Sequence, residues 1–78
     1  MKRRGCMIRR MKTETIVNKV HDLRIKHGAT QEDVAKAVGV TRQTVIAIEK
    51  GNYVPSVLLA LRLSKFFRVP AEDIFKIQ

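Results

Sequence analysis

The apolar positions of this chain recur at helical rather than alternating spacing. Between Thr13 and His27, Ile16, Val20, Leu23 and His27 stand at i, i+4, i+7 and i+11, one stripe of a helix. Thr13 or Thr15 offers a capping hydroxyl, and Lys26-His27-Gly28 closes the segment with basic residues and then a glycine. The pattern predicts a first helix over 13–27.

Two shorter helical patterns follow back to back. Val34, Ala35 and Val38 mark the first, and Val45 and Ile48 the second. Thr30 and Thr41 precede them, where a hydroxyl can accept from an unpaired backbone N–H. Glu32 and Asp33 put negative charge in the first turn of the earlier helix, where the dipole favours it. Gly39 suits the left-handed residue that ends that helix, and Lys50-Gly51-Asn52 stops the later one. Two short helices joined through one glycine predict a helix-turn-helix unit over 31–50. With Val45 and Ile48 turned inward, Ile46 falls towards the outer side as a candidate interface residue.

Gly51-Asn52-Tyr53-Val54-Pro55-Ser56 reads as a connection, with Ser56 as the cap of a helix over 57–67. Ala60, Leu63, Ser64 and Phe67 are its expected core face, while Leu58, Leu59, Leu61 and Phe66 add apolar residues on other faces. A helix apolar nearly all round calls for cover on more than one side, and a second subunit is the natural cover. Pro70 starts a short last helix over 71–75, with Glu72 and Asp73 in its first turn and Ile74 folded back onto the core. Leu58, Phe66, Phe75 and Ile77 are the candidate dimer interface. The expectation is an all-α domain of five helices with no strand.

Composition narrows the function. A chain of 78 residues is one domain, and one this short buries only about 60% of its extended surface. The net charge is +9, and six of its sixteen lysines and arginines stand in residues 1–12 with no acid among them. That balance suits a polyanion such as nucleic acid. Residues 1–12 are expected to be a basic, flexible extension able to lie along phosphates, ahead of a domain over 13–78. The single cysteine, Cys6, has no partner for an internal disulfide and no ligands at zinc spacing, so no metal or cofactor is expected. No apolar run approaches the length of a membrane helix and no signal peptide opens the chain, which points to the cytoplasm. Paired carboxylates, a Ser/His/Asp set and a phosphate loop are all missing, so an enzyme is not expected.

Gln31-Glu32-Asp33-Val34-Ala35, Gly39-Val40-Thr41-Arg42-Gln43-Thr44-Val45, Ile48-Glu49-Lys50-Gly51 and Pro55-Ser56 together resemble the XRE-type helix-turn-helix family, which includes the lambda-like phage repressors and Cro. The likeness runs from about Val20 to Phe75. It implies a compact five-helix lambda-repressor-like fold, sequence-specific binding of double-stranded DNA as a homodimer, and transcriptional regulation. In such a unit the second helix enters the major groove with its N-terminal residues leading. Gln31 matches the family glutamine that bonds a phosphate. Thr41, Arg42, Gln43 and Thr44 open the recognition helix; arginine can grip guanine and glutamine adenine through two hydrogen bonds. Ala47, one turn on, offers thymine only a methyl group. Lys50, Asn52 and Tyr53 match the stretch that grips phosphates. Arg24 and Glu49 match a family pair that forms a partly buried ion pair. Arg68 departs from the family, which often has glycine there, and Leu58 and Phe66 stand where polar or small residues are usual.

The leading expectation is a repressor that occupies a two-fold operator. The alternative is an antitoxin that binds both DNA and a toxin protein through the apolar face of the fourth helix.

Overall fold

The computed structural model describes residues 15–78. The expected basic extension over 1–12, with Cys6, lies outside the described residues. Five helices follow one another: α1 (Val20–Lys26), α2 (Gln31–Val38), α3 (Arg42–Glu49), α4 (Val57–Phe67) and α5 (Ala71–Ile74). Two three-residue strands bracket them, β1 (Ile16–Asn18) and β2 (Phe75–Ile77).

The strands correct the expected first helix over 13–27 and the expectation of a strand-free domain. Ile16 pairs with Ile77, Val17 with Lys76 and Asn18 with Phe75, antiparallel. Thr15 and Gln78 exchange two further backbone bonds, and the Lys19 N–H donates to the Ile74 carbonyl at 2.9 Å. The β-branched pair Ile16-Val17 suits this extended backbone better than a helix. Its partner strand stands at the far end of the chain, where no local periodicity can announce it. The same pairing takes Phe75 out of the last helix, which ends at Ile74.

The core is a single cluster of Val20, Val34, Ala35, Val38, Val45, Ile48, Leu59, Leu63, Phe67 and Ile74. Within α4 the buried stripe is Leu59, Leu63 and Phe67. It is therefore rotated from the expected face: Leu59 is core, while Ala60 and Ser64 are half-buried. The observed stripe puts a large apolar side chain on every turn. Ser64 instead spends its hydroxyl on closing the helix, donating to the Val69 carbonyl.

Helices α2 and α4 end in the same left-handed turn, at Gly39 (φ 78°) and Arg68 (φ 61°). In each, the residue's own N–H and the next one reach back to a single carbonyl, Ala35 in α2 and Ser64 in α4. Among the described residues Arg68 is the only non-glycine with positive φ. Among those residues no helix is long and apolar enough to cross a membrane.

Candidate nucleic-acid interface

Thr30 and Thr41 set the two helices of the central unit. The Thr30 hydroxyl accepts from the Asp33 N–H at 3.0 Å, and the Asp33 carboxylate accepts from the Thr30 N–H at 2.9 Å. This reciprocal box fixes where α2 begins. The Thr30 N–H, then its hydroxyl, holds the Asp33 carboxyl below its ordinary range. Thr41 caps α3 by accepting from the Thr44 N–H, and its hydroxyl lies 3.1 Å from that of Thr44. Arg42 and Gln43 are exposed on the first turn of α3, whereas Thr44 and Ala47 are half-buried.

The other face of α3 is pinned by charge. Arg24 Nε donates to Glu49 Oε2 at 2.7 Å, and Arg24 Nη2 donates to Glu49 Oε1 at 3.3 Å. Arg24 Nη1 continues to the Ala29 carbonyl at 3.1 Å, so one guanidinium joins α1, the α1–α2 turn and α3. The side chains of Arg24 and Glu49 are only 11% and 7% exposed. Burial alone pushes the Glu49 carboxyl up, but the hydrogen bonds from Arg24 and Gln31 outweigh it and hold the group below its ordinary value. His21 stands at the rim, with Nδ1 3.4 Å from Glu49 Oε1.

Gln31 Nε2 donates to Glu49 Oε1 at 3.1 Å. Because an ionised carboxylate only accepts, this contact sets the Gln31 amide: one N–H points to Glu49, and among the described residues the other meets no acceptor. Gln31 and Arg42 come together along one polar groove of about 570 Å³, which Arg24, Ala29 and Thr30 also line. Beyond the C-terminal end of α3, Lys50, Asn52 and Tyr53 are all exposed.

Sequence reasoning missed Asn18. Its Nδ2 donates to the Ile48 carbonyl at 2.8 Å, and its Oδ1 accepts from the Val20 N–H at 3.1 Å. One side chain thus ties β1 and the start of α1 to the last turn of α3. An asparagine can accept from the backbone N–H two residues on and so turn the chain into the helix that follows, here with Lys19 as the N-cap. It was hidden because the stretch reads as helix interior.

The candidate dimer residues divide. Leu58 and Ile77 are exposed and Phe75 is half-buried. Ile77 faces Ile16 across the sheet, and Phe75 lines an apolar groove with Ile16 and Leu61. Phe66 lies in a separate depression with Ala37, Arg62 and Lys65, its ring edge-on to Phe67 at 5.1 Å. Ile46 is half-buried.

The family model described as helix-turn-helix matches residues 20–74. The chain belongs to the helix-turn-helix family. The match spans all five helices of this helix-turn-helix protein and leaves both strands outside it. Over 58 residues it is 59% identical to YgzD, an uncharacterized HTH-type transcriptional regulator of Bacillus subtilis, covering 74% of this chain and 88% of that protein. It is 37% identical over 57 residues to the cryptic phage CTXphi transcriptional repressor RstR of Vibrio cholerae, covering 73% of this chain and 51% of the repressor. Among solved structures it is similar to the restriction-modification controller protein C.AhdI of Aeromonas hydrophila. That likeness has a TM-score of 0.66 at 25% identity, over 70% of this chain and 83% of the other.

Proposed function

We propose that this protein is a sequence-specific DNA-binding repressor acting in the cytoplasm, in the manner of the lambda-like repressors. Its domain spans 13–78, and residues 1–12 add a basic arm for DNA phosphates. Two copies occupy a two-fold operator, each inserting the helix that begins at Arg42 into the major groove. The observation that carries this reading is the presentation of α3. Its first turn is capped by Thr41 and leaves Arg42 and Gln43 outward, while its inner face is bolted to α1 and α2 through Glu49. A reading element must be rigid behind and free in front, because base contacts tolerate little misplacement. Gln31, beside Arg42 in the polar groove, and Lys50, Asn52 and Tyr53 at the other end of α3 are the phosphate contacts. Thr41, Thr44 and Ala47 complete the groove-facing surface. The repressor relative RstR and the controller C.AhdI support a regulatory role.

Selection of bound duplexes from random DNA tests the proposal, and a palindrome with half-sites one helical turn apart is the expected result. Failure to enrich any sequence would remove the proposal. On the selected site, Gln43→Ala should cost about 1–3 kcal/mol and relax the preference at one base pair. Lys50→Ala should weaken all sequences alike and lower the salt slope by about 1. Equal losses for Gln43→Ala on selected and random DNA would remove its role as a reader.

A further inference from the structure

Helix α3 hands the chain on through a single turn. Three successive amides fold back onto its end: the Lys50 N–H donates to the Ile46 carbonyl at 3.1 Å, that of Gly51 to Ile48 at 2.9 Å and that of Asn52 to Ala47 at 2.9 Å. Gly51 supplies the left-handed backbone that such a stop requires (φ 80°). These three carbonyls set the direction in which Lys50, Asn52 and Tyr53 leave the helix. Among the described residues, only that of Ile48 is also bonded from outside α3 and its turn. The donor is Asn18 Nδ2, at 2.8 Å.

Asn18 can anchor that carbonyl because its own backbone is held. It is the inner end of β1, paired with Phe75 of β2. The next amide, that of Lys19, donates to the Ile74 carbonyl at 2.9 Å. Its Oδ1 accepts from the Val20 N–H at 3.1 Å, which leaves Nδ2 as the group turned to Ile48. A short side chain on a fixed base gives up little freedom in making such a bond.

The other ties on α3 act elsewhere. Thr41 caps its first turn, and Arg24 and Gln31 hold the Glu49 side chain. Asn18 holds the main chain at the point where α3 ends. It also precedes residues 20–74, so this tie is made from outside the stretch that the family model matches. We propose that Asn18 is a positioning residue for DNA binding. Through the Asn18–Ile48 bond, the sheet formed by β1 and β2 fixes the exit of α3 and so aims Lys50, Asn52 and Tyr53 at the phosphates. The role in DNA binding rests on the reading above; the control of the α3 exit does not.

Asn18→Ser keeps an oxygen for the Val20 N–H, since a serine hydroxyl makes the same local turn, but it is too short to reach Ile48. Asn18→Asp also keeps the acceptor and loses the donor, while changing the net charge. Agreement between the two variants therefore assigns an effect to the lost donor. In the full chain without DNA, both should stay folded by circular dichroism. Hydrogen exchange at the Gly51 amide should quicken about tenfold or more in each, and by more than at the Val45 amide of the core, which reports opening of the whole domain. On the duplex selected from random DNA, Asn18→Ser should bind about fivefold more weakly.

Two double-mutant cycles then separate positioning from support of the fold. Lys50→Ala should cost about threefold less in the Asn18→Ser background than in the wild type, because a lysine that is no longer aimed has less to lose. Gln43→Ala should cost the same in both backgrounds, since Gln43 lies on the first turn of α3. A role confined to folding lowers the binding of every variant alike and leaves both cycles uncoupled. Gly51 exchange that quickens no more than that of Val45 would overturn control of the α3 exit. A Lys50 cycle without coupling, or equal coupling at Lys50 and Gln43, would overturn the positioning role. Loss of the fold in both Asn18 variants would make Asn18 a folding residue and defeat the proposal as well. Failure to select any DNA removes the functional reading, and the positioning role with it, while the Gly51 amide still decides whether Asn18 controls the exit.

Discussion

Arg24 and Glu49 carry full charges and are almost hidden from solvent, whereas Val57, Leu58 and Leu61 are aliphatic and stand in it. Each region breaks the ordinary rule of what belongs inside. They differ in whether the molecule supplies its own compensation. Glu49 receives hydrogen bonds from Arg24 and Gln31, and Arg24 reaches the Ala29 carbonyl as well, so the buried charges are answered within one chain. Among the described residues, nothing covers the α4 ridge. A completed violation holds the fold together; an uncompleted one is where something else must bind. Substitutions in the first region should therefore be felt as stability, and in the second as association.

The largest effect should come from opening the ion pair. Glu49→Ala leaves Arg24 buried without its carboxylate and should cost about 3–5 kcal/mol in chemical denaturation. A loss below about 1 kcal/mol, the usual worth of a surface pair, would erase the contrast between the two regions. Acid offers a second view of the same group. The folded-state carboxyls of Glu49 and Asp33 both lie below their ordinary values. Such groups contribute stability that is fully present above the unfolded-state values, about 4.3 for Glu and 3.9 for Asp, and that is lost as pH falls through the lower folded values. Their contribution should hold down to about pH 5 and fade below about pH 4. Glu49→Gln should be less stable at neutral pH and show a shallower acid decline than wild type; parallel acid limbs would contradict the pair's role.

The sequence reading was strongest where structure is local. The caps Thr30, Thr41 and Ser56, the stop at Gly39 and the buried Val34, Ala35, Val38, Val45 and Ile48 depend on neighbours within a turn or two, and those helices stand at 31–38, 42–49 and 57–67. It failed at Ile16-Val17-Asn18, because a strand of three residues is decided by a partner strand at the other end of the chain. The rotation of α4 was missed for a related reason: with apolar residues on every face, spacing alone does not say which stripe meets the core. At the candidate site, Arg24 with Glu49 and the outward Arg42 and Gln43 stand where the family pattern leads one to look. The Gln31–Glu49 and Asn18–Ile48 bonds come from chain crossings that no residue spacing encodes.

A smaller effect, of opposite sign, belongs to Arg68. Its left-handed backbone (φ 61°) is a departure of another kind, carried by a residue with a Cβ. Gly39 makes the same turn without a Cβ. Arg68→Gly should remove the steric cost and stabilise the fold by about 0.5–1 kcal/mol, after allowance for the extra freedom glycine has in the unfolded chain. The expected reading is a raised midpoint in urea with an unchanged slope. A loss of stability would mean that the Arg68 side chain makes contacts worth more than the strain.

The smallest effect is the one that separates the two regions most sharply. Val57 is 76% exposed, and a polar replacement there removes almost no buried area from the monomer. Val57→Thr should therefore shift monomer stability by less than about 0.5 kcal/mol, measured at a concentration below the dimer transition. Threonine keeps the shape and branching of valine but brings a hydroxyl that an apolar seam would have to bury. At high concentration the same substitution should lower the apparent midpoint relative to wild type, because only the wild type then gains from mass action. A Val57→Thr chain that is less stable at every concentration would mean that Val57 supports the monomer fold. Exposure on α4 would then lose its meaning as the mark of a face waiting for cover.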